Sequence, residues 1–250
     1  MKTRIIYLIL LLVSSISGFS QQDPQYTQYM YNTINVNPAY AGSRGVLSIF
    51  GLHRTQWVGL DGAPDTNAFS INTPFNNSNV GLGVSFVNDR IGPAVENTLS
   101  VDFSYTIPTS ETYKLSFGIK GTANLLDVDY TKLNPQVYSD VMFQNNIDNR
   151  FSPNVGAGVY LHSNKLYAGV SVPNILETSH YDDNNVNAEA KERMHLYVIG
   201  GYVFDLSESI KFKPAFLSKV VQGAPLQLDV TANFMFNNKF VLGAAWRWDA

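Results

Sequence analysis

The stretch that decides the fold reads Val95-Glu96-Asn97-Thr98-Leu99-Ser100-Val101-Asp102-Phe103-Ser104-Tyr105-Thr106-Ile107. Every even position is polar, and every odd position except Asn97 is apolar. Side chains alternate between two faces only in a β-strand, so this stretch predicts a strand in a sheet with one apolar and one polar face.

The same alternation continues along the chain, and no helical periodicity is visible from Arg44 onward. We predict an all-β fold with eleven visible strands. They cover residues 45–57, 66–75, 80–88, 95–107, 112–126, 151–161, 165–172, 191–205, 210–219, 225–236 and 239–250.

Three features indicate which face of the predicted sheet contacts water. Several strands reach ten residues or more, as tilted membrane strands do, whereas strands of soluble sandwiches are shorter. Short connections alternate with longer ones, the longer being 58–65, 88–94, 127–150, 173–190 and 220–224. Aromatic residues gather at strand ends, as in interfacial girdles. Together these features predict an antiparallel transmembrane β-barrel of the outer-membrane type, with its long loops outside the cell.

The N-terminus has the pattern of a signal peptide. Lys2 and Arg4 precede an apolar run from Ile5 to Val13, and small residues follow up to Ser20. Cleavage is expected between Ser20 and Gln21. The predicted organisation is a signal peptide over 1–20, a periplasmic N-terminal segment over 21–43 and the barrel over 44–250. Because bacterial barrels close with an even number of strands, we expect a C-terminally truncated barrel with twelve to fourteen strands in the full-length protein.

Composition excludes several classes of protein. Charged residues make up 15% of the chain, the formal net charge is -3, and cysteine is absent. This gives no electrostatic basis for nucleic-acid binding and excludes disulfides, thiolate metal sites and a cysteine nucleophile. None of the four histidines stands in a motif with a fixed Ser or Asp partner, so neither an enzyme nor any cofactor or metal is expected.

Charges on the polar face of the strands must line the lumen, because Lys or Arg at the lipid midplane costs about 2–4 kcal/mol. Two interpretations stand: a selective channel, or a lumen filled by compensating ion pairs. The mixed signs favour ion pairs, for example between Asp102 and Lys120, which lie close to cross-strand register.

Several blocks in order resemble one family. The segment after the predicted cleavage site reads Asp23-Pro24-Gln25-Tyr26-Thr27-Gln28-Tyr29, followed by Asn37-Pro38-Ala39-Tyr40-Ala41-Gly42. Arg54-Thr55-Gln56-Trp57, then Gly62-Ala63-Pro64, and later Ser171-Val172-Pro173-Asn174 continue the series. The combination resembles the PorP/SprF family of outer-membrane proteins associated with type IX secretion and gliding.

The resemblance implies an outer-membrane accessory that helps secrete or attach a partner protein, such as a large adhesin with a type IX C-terminal domain. A periplasmic component of the secretion machinery is a further implied partner beside outer-membrane lipid. The candidates for partner docking are Asp23, Pro24, Gln25, Tyr26, Tyr29, Asn37, Pro38, Tyr40, Gly42, Arg54, Gln56, Trp57, Pro64, Pro173 and Asn174. The N-terminal segment is expected either to plug the barrel or dock a periplasmic partner, or to pack on the rim as an arm. Competing functions are a small-solute channel and a secreted soluble β-sandwich binding module.

Overall fold

The computed structural model describes Tyr29 and residues 31–76, 78–133, 146–177 and 193–248. The predicted signal peptide lies outside these residues, as do residues 134–145 of the predicted loop 127–150 and residues 178–190 of the predicted loop 173–190. No helix in the described part of the chain is long and apolar enough to cross a membrane.

A single antiparallel sheet dominates the molecule. Neighbouring strands follow one another in chain order, as in a meander, and β1 and β12 form its two ends. The strands are β1 (Ser48–Thr55), β2 (Asp65–Pro74), β3 (Val80–Ile91), β4 (Ala94–Pro108), β5 (Lys114–Val128), β6 (Ile147–His162), β7 (Leu166–Val172), β8 (His195–Tyr202), β9 (Phe204–Asp205), β10 (Ile210–Val221), β11 (Gln227–Phe236) and β12 (Phe240–Trp248).

The all-β, antiparallel prediction is confirmed, and the described strands belong to one sheet and not to the two sheets of a sandwich. The eleven predicted strands are present, with the eighth divided into β8 and β9. Both parts pair with β10 in one register, and the interruption lies at Tyr202–Val203, opposite Pro214 and Lys213. Because Pro214 has no N–H, it cannot donate a ladder hydrogen bond there.

One predicted long loop is wrong. The connection expected over 88–94 shrinks to Gly92-Pro93, since β3 extends to Ile91 and pairs with Ala94. Gly92 takes a φ of +56°, a left-handed conformation that glycine adopts without steric cost. The three consecutive polar residues Asn88, Asp89 and Arg90 break the apolar–polar alternation inside β3, which is why the pattern predicts a loop there.

The sheet is curled around a common interior. A cavity is lined by residues of β3 to β6, β8 and β10 to β12, strands that lie far apart in the sheet order. Within the described residues no ladder joins β1 to β12. We call the end with connections 75–79, 109–113, 163–165, 206–209 and 237–239 the short-turn end, and the opposite end the long-loop end.

Burial is inverted relative to a water-soluble protein. Among the described residues, buried polar or charged side chains outnumber buried hydrophobic ones by twenty-two to eleven, while large apolar side chains such as Ile119 and Phe117 are exposed on the outer face. Outward aromatic rings continue across strands at the short-turn end, with centroids 4.6 Å apart for Tyr202–Phe204 and 4.7 Å for Phe212–Phe234. This arrangement suits a lipid-facing exterior with an aromatic girdle.

Candidate functional site: the filled interior

The N-terminal part of the described chain lies inside the curled sheet. We call Tyr29 and residues 31–42 the interior segment. It contains a single helical turn, α1 (Thr33–Val36), followed by a 3-10 turn at Pro38–Tyr40. Ile34, Asn37 and Ala39 have no solvent-exposed surface. This segment therefore fills space that would otherwise hold water.

Polar groups of the strands satisfy the backbone and amides of the interior segment. Serine hydroxyls of three strands donate to the interior segment, and the Asn37 amide donates to a carbonyl of a fourth strand. These hydrogen bonds fix the interior segment to much of the surrounding wall. The bonds are Ser70 Oγ to Asn32 Oδ1 (2.7 Å), Ser104 Oγ to Ala41 O (2.7 Å), Ser171 Oγ to Val36 O (2.6 Å) and Asn37 Nδ2 to Val159 O (3.1 Å).

A buried ion pair supports the same segment. Lys120 Nζ lies 3.3 Å from Asp102 Oδ1, and the two residues are direct cross-strand partners. The ammonium also donates hydrogen bonds to the carbonyl oxygens of Ile34 (3.1 Å) and Asn35 (3.3 Å). Because both side chains are almost fully buried, the pair and its carbonyl acceptors stabilise each other in a place where an unpaired charge would be costly.

Glycines on the inward face of the strands make room for the interior segment. A Cβ at Gly118 would overlap the backbone of Ala39 and Pro38, and a Cβ at Gly158 would overlap the Asn37 side chain. Gly83 is equally close to Ile34. The wall is therefore shaped to this segment, with absent side chains where the segment approaches most closely.

A polar cavity of about 160 Å³ remains on the long-loop side of the interior segment. Tyr29, Asn35 and Val36 of the interior segment contribute to the lining of this cavity, and strand residues surround it. Arg247 and Asp229 form a bidentate ion pair in its wall, at 2.6 and 2.7 Å. Asn124 donates to Glu96, and Ser100 and Thr122 share a hydrogen bond of 3.0 Å. The charged side chains that line the cavity therefore have ion-pair or hydrogen-bond partners in the wall.

The structure places one group of predicted docking residues in the interior. Tyr29 packs with Tyr197, Ile199 and Leu217, and Asn37 caps the 3-10 turn by accepting from the Ala39 N–H (3.0 Å). Pro38 is buried, Tyr40 is half-buried, and Gly42 has a φ of +69°. Its missing Cβ also allows close approach to Gly81 and Pro74. The candidates Asp23, Pro24, Gln25 and Tyr26 lie outside the described residues.

A second group lies at the long-loop end. Arg54 is near the end of β1, the Gln56 N–H donates to Pro64 O (3.0 Å), and Trp57 is 67% exposed. Pro173 is buried against Gly156, and Asn174 contributes to the lining of the polar cavity. The predicted residues therefore divide into an interior group and a rim group and do not form one site.

The inward glycines and serines that receive the interior segment were missed by the sequence reasoning. Their signal is present: Gly81, Gly83, Gly118 and Gly158 occupy positions where the alternation predicts a polar side chain. A local sequence pattern does not, however, indicate which part of the chain packs against an inward-facing glycine.

Charged groups in the connections between strands are held by local hydrogen bonds. The hydroxyl of Thr131 donates to Asp129 and, with the nearby Lys132, lowers the pKa of that carboxyl. The hydrogen bond between Lys165 and Asp205, at 2.7 Å, raises the pKa of the lysine. Over the described ranges, no group of three or more His, Asp or Glu side chains is suited to hold a metal ion.

Comparison with known protein families finds a match over most of the chain. A family model described as "Type IX secretion system membrane protein PorP/SprF" matches residues 18–250. Comparison with curated proteins gives no match, and comparison with solved structures gives none either.

Proposed function

Because the chain belongs to the PorP/SprF family of type IX secretion system membrane proteins, we propose that it is an outer-membrane platform for a secreted partner. In this proposal it is needed for secretion, or for surface attachment, of a protein such as a large adhesin that carries a type IX C-terminal domain. Gliding would depend on the same attachment. The observation that carries the proposal is the interior segment, which is hydrogen-bonded to the wall on several sides.

A filled interior supports binding rather than conduction. A solute channel needs a continuous water-filled path, whereas residues 31–42 place fully buried groups across the interior. The ion pairs Asp102–Lys120 and Asp229–Arg247 neutralise charges that would otherwise form a selective ring. We propose that the chain binds a partner and performs no chemistry.

The outward face supports residence in the outer membrane. Its exposed apolar side chains suit lipid, and outer-membrane barrels have short periplasmic turns and long external loops. In this orientation the loops predicted over 127–150 and 173–190 are the proposed receiving surface for the partner at the cell exterior. We propose that a periplasmic component of the secretion machinery contacts the N-terminal segment after removal of the signal peptide.

Deletion of residues 178–190 tests this function. Residues 173–177 are kept because the Asn154 side chain bonds to Leu176 O and to Leu176 N, both at 2.9 Å, and because Ile175 N donates to Val155 O. The shortened chain should remain in the outer membrane while the surface partner is released into the medium.

The matched control inserts a flexible Gly-Ser stretch into the turn at Asn237-Asn238, at the short-turn end. This insertion should leave surface display unchanged. Unchanged display after deletion of 178–190, with the chain present at its normal level in the membrane, would contradict the proposal.

A further inference from the structure

A row of polar and aromatic side chains crosses the inner wall at the short-turn end, below the interior segment. Lys114 of β5 is the direct cross-strand partner of His162, and His162 is the partner of Tyr167. Lys213 of β10 lies over the Tyr167 ring, with Nζ 5.0 Å from its centroid. The row therefore continues across β5, β6 and β7 to β10, and Lys211 lies two residues further toward the same end.

Aromatic contacts connect this row to the interior segment. The Tyr160 ring is stacked on His162, with centroids 5.4 Å apart, and Tyr40 contacts Tyr160 edge-on at 5.6 Å. Arg44 lies four residues after Tyr40 and is exposed. We call the space bordered by Lys114, His162, Tyr167, Lys211, Lys213 and Arg44 the basic mouth.

Positive charge dominates the basic mouth. Arg44 repels Lys213, and Lys114 repels His162 when the ring is protonated. Among the described residues none of Lys114, Lys211, Lys213 and Arg44 forms an ion pair within 4.0 Å. Asp205 is the direct cross-strand partner of Lys211, and its carboxylate is 2.7 Å from Lys165 Nζ, with which it forms an ion pair. The acids Glu111 and Glu208 lie in exposed turns.

Hydrogen-bonding capacity is also unused there. Tyr167 Oη and His162 Nε2 are buried and have no hydrogen-bond partner in the described part of the chain. A buried polar atom without a partner costs free energy, which a bound acceptor or donor would recover.

We propose that the basic mouth binds an acidic peptide segment of a partner protein on the periplasmic side. The orientation rests on the proposed function, but the chemistry of the site does not. Carboxylates of such a segment pair with Lys114, Lys211, Lys213 and Arg44, and its backbone lies along the tyrosine-lined wall.

The spread of the cations favours a peptide over a small anion. From β5 to β10 the wall spans four strand-to-strand steps, or about 19 Å at roughly 4.8 Å each. An extended peptide of about six residues covers that length, at roughly 3.3 Å per residue. The cations face the interior of the sheet and not its lipid-facing exterior, which places them away from phospholipid headgroups.

Binding of fluorescently labelled hexaglutamate to the full chain in detergent tests the proposal, with anisotropy as the readout. The wild type should bind hexaglutamate and not hexaserine, and binding should weaken as salt increases. Lys213→Gln should weaken binding by about two- to fivefold, and the triple variant Lys114→Gln/Lys211→Gln/Lys213→Gln by about tenfold or more.

The control with the same change in net charge is Arg90→Gln/Lys132→Gln/Arg193→Gln, three exposed cations toward the long-loop end. It should bind hexaglutamate like the wild type. Circular dichroism confirms that each variant is folded. Equal affinity for hexaglutamate and hexaserine, equal losses in both triple variants, or displacement by equimolar inorganic phosphate would overturn the proposal. Because the assay needs no secreted cargo, its failure is distinguishable from failure of the platform function.

Discussion

At the scale of single residues, the Asp102–Lys120 pair shows how the polar interior is stabilised. Both side chains are buried, and the ammonium binds the carboxylate and two carbonyls of the interior segment. Removing one member leaves an uncompensated buried charge, whereas removing both does not.

We predict that Asp102→Asn lowers the free energy of unfolding by about 3–5 kcal/mol. The double variant Asp102→Asn/Lys120→Met should recover part of this loss, because no charge then remains buried. Urea unfolding in lipid vesicles measures both. The exposed pair Lys165–Asp205 supplies the control, and Lys165→Gln should change stability little. Equal stability of Asp102→Asn and the wild type would show that the pair does not stabilise the interior.

At the scale of elements, β5 contains a matched pair of glycines. Gly118 faces the interior segment, and its added Cβ would meet the backbone of Ala39, which has little freedom to move. Gly121 faces outward, and its added Cβ would meet nothing within 4 Å.

Gly118→Ala should therefore destabilise the chain by about 1–3 kcal/mol through overpacking. Gly121→Ala should stay within about 0.5 kcal/mol of the wild type. Unfolding by urea compares the two variants directly. If both variants behave alike, the interior segment does not rest against β5.

The outward face of the strands gives a second matched pair. Ile119 lies in the middle of β5 and is 62% exposed, whereas Ile107 lies near the end of β4 and is 42% exposed. Ile119→Lys should cost about 2–4 kcal/mol in a bilayer and Ile107→Lys about 0–1 kcal/mol, since the penalty depends on depth. Refolding into vesicles of defined lipid measures both costs. Equal and small costs would place this face outside the lipid.

The elements also show what the sequence can predict. Alternation in 95–107 identified β4, its outward apolar face and the inward direction of Asp102. The Lys120 register followed from hairpin spacing, and the structure places it directly opposite Asp102. Contacts that join distant parts of the chain were not accessible. Ser171 bonds to Val36 across 135 residues, and no periodic signal relates them.

At the scale of the whole molecule, the interior has three levels. The basic mouth lies at the short-turn end, the interior segment fills the middle, and the polar cavity opens toward the long-loop end. The sequence left open whether the N-terminal segment fills the interior or packs on the rim as an arm, and these two arrangements differ in what occupies the interior. A rim-packed arm would leave the interior water-filled, whereas Asn32, Asn37 and Ala41 are bonded inside it.

We propose a separate binding role for each end of the molecule. The long-loop end is the proposed receiving surface for a secreted partner, and the basic mouth is the proposed contact with an acidic segment from the periplasm. In this proposal the interior segment lies between the two surfaces, so that both partners bind without opening a path for solutes.

Planar-bilayer recording of the purified full chain tests most directly whether the interior segment closes the molecule to solutes. We expect no stable conducting steps for the wild type, and steps of defined conductance for a chain lacking residues 21–42. Stable ohmic openings of the wild-type chain, equal to those of the shortened chain, would contradict a closed interior.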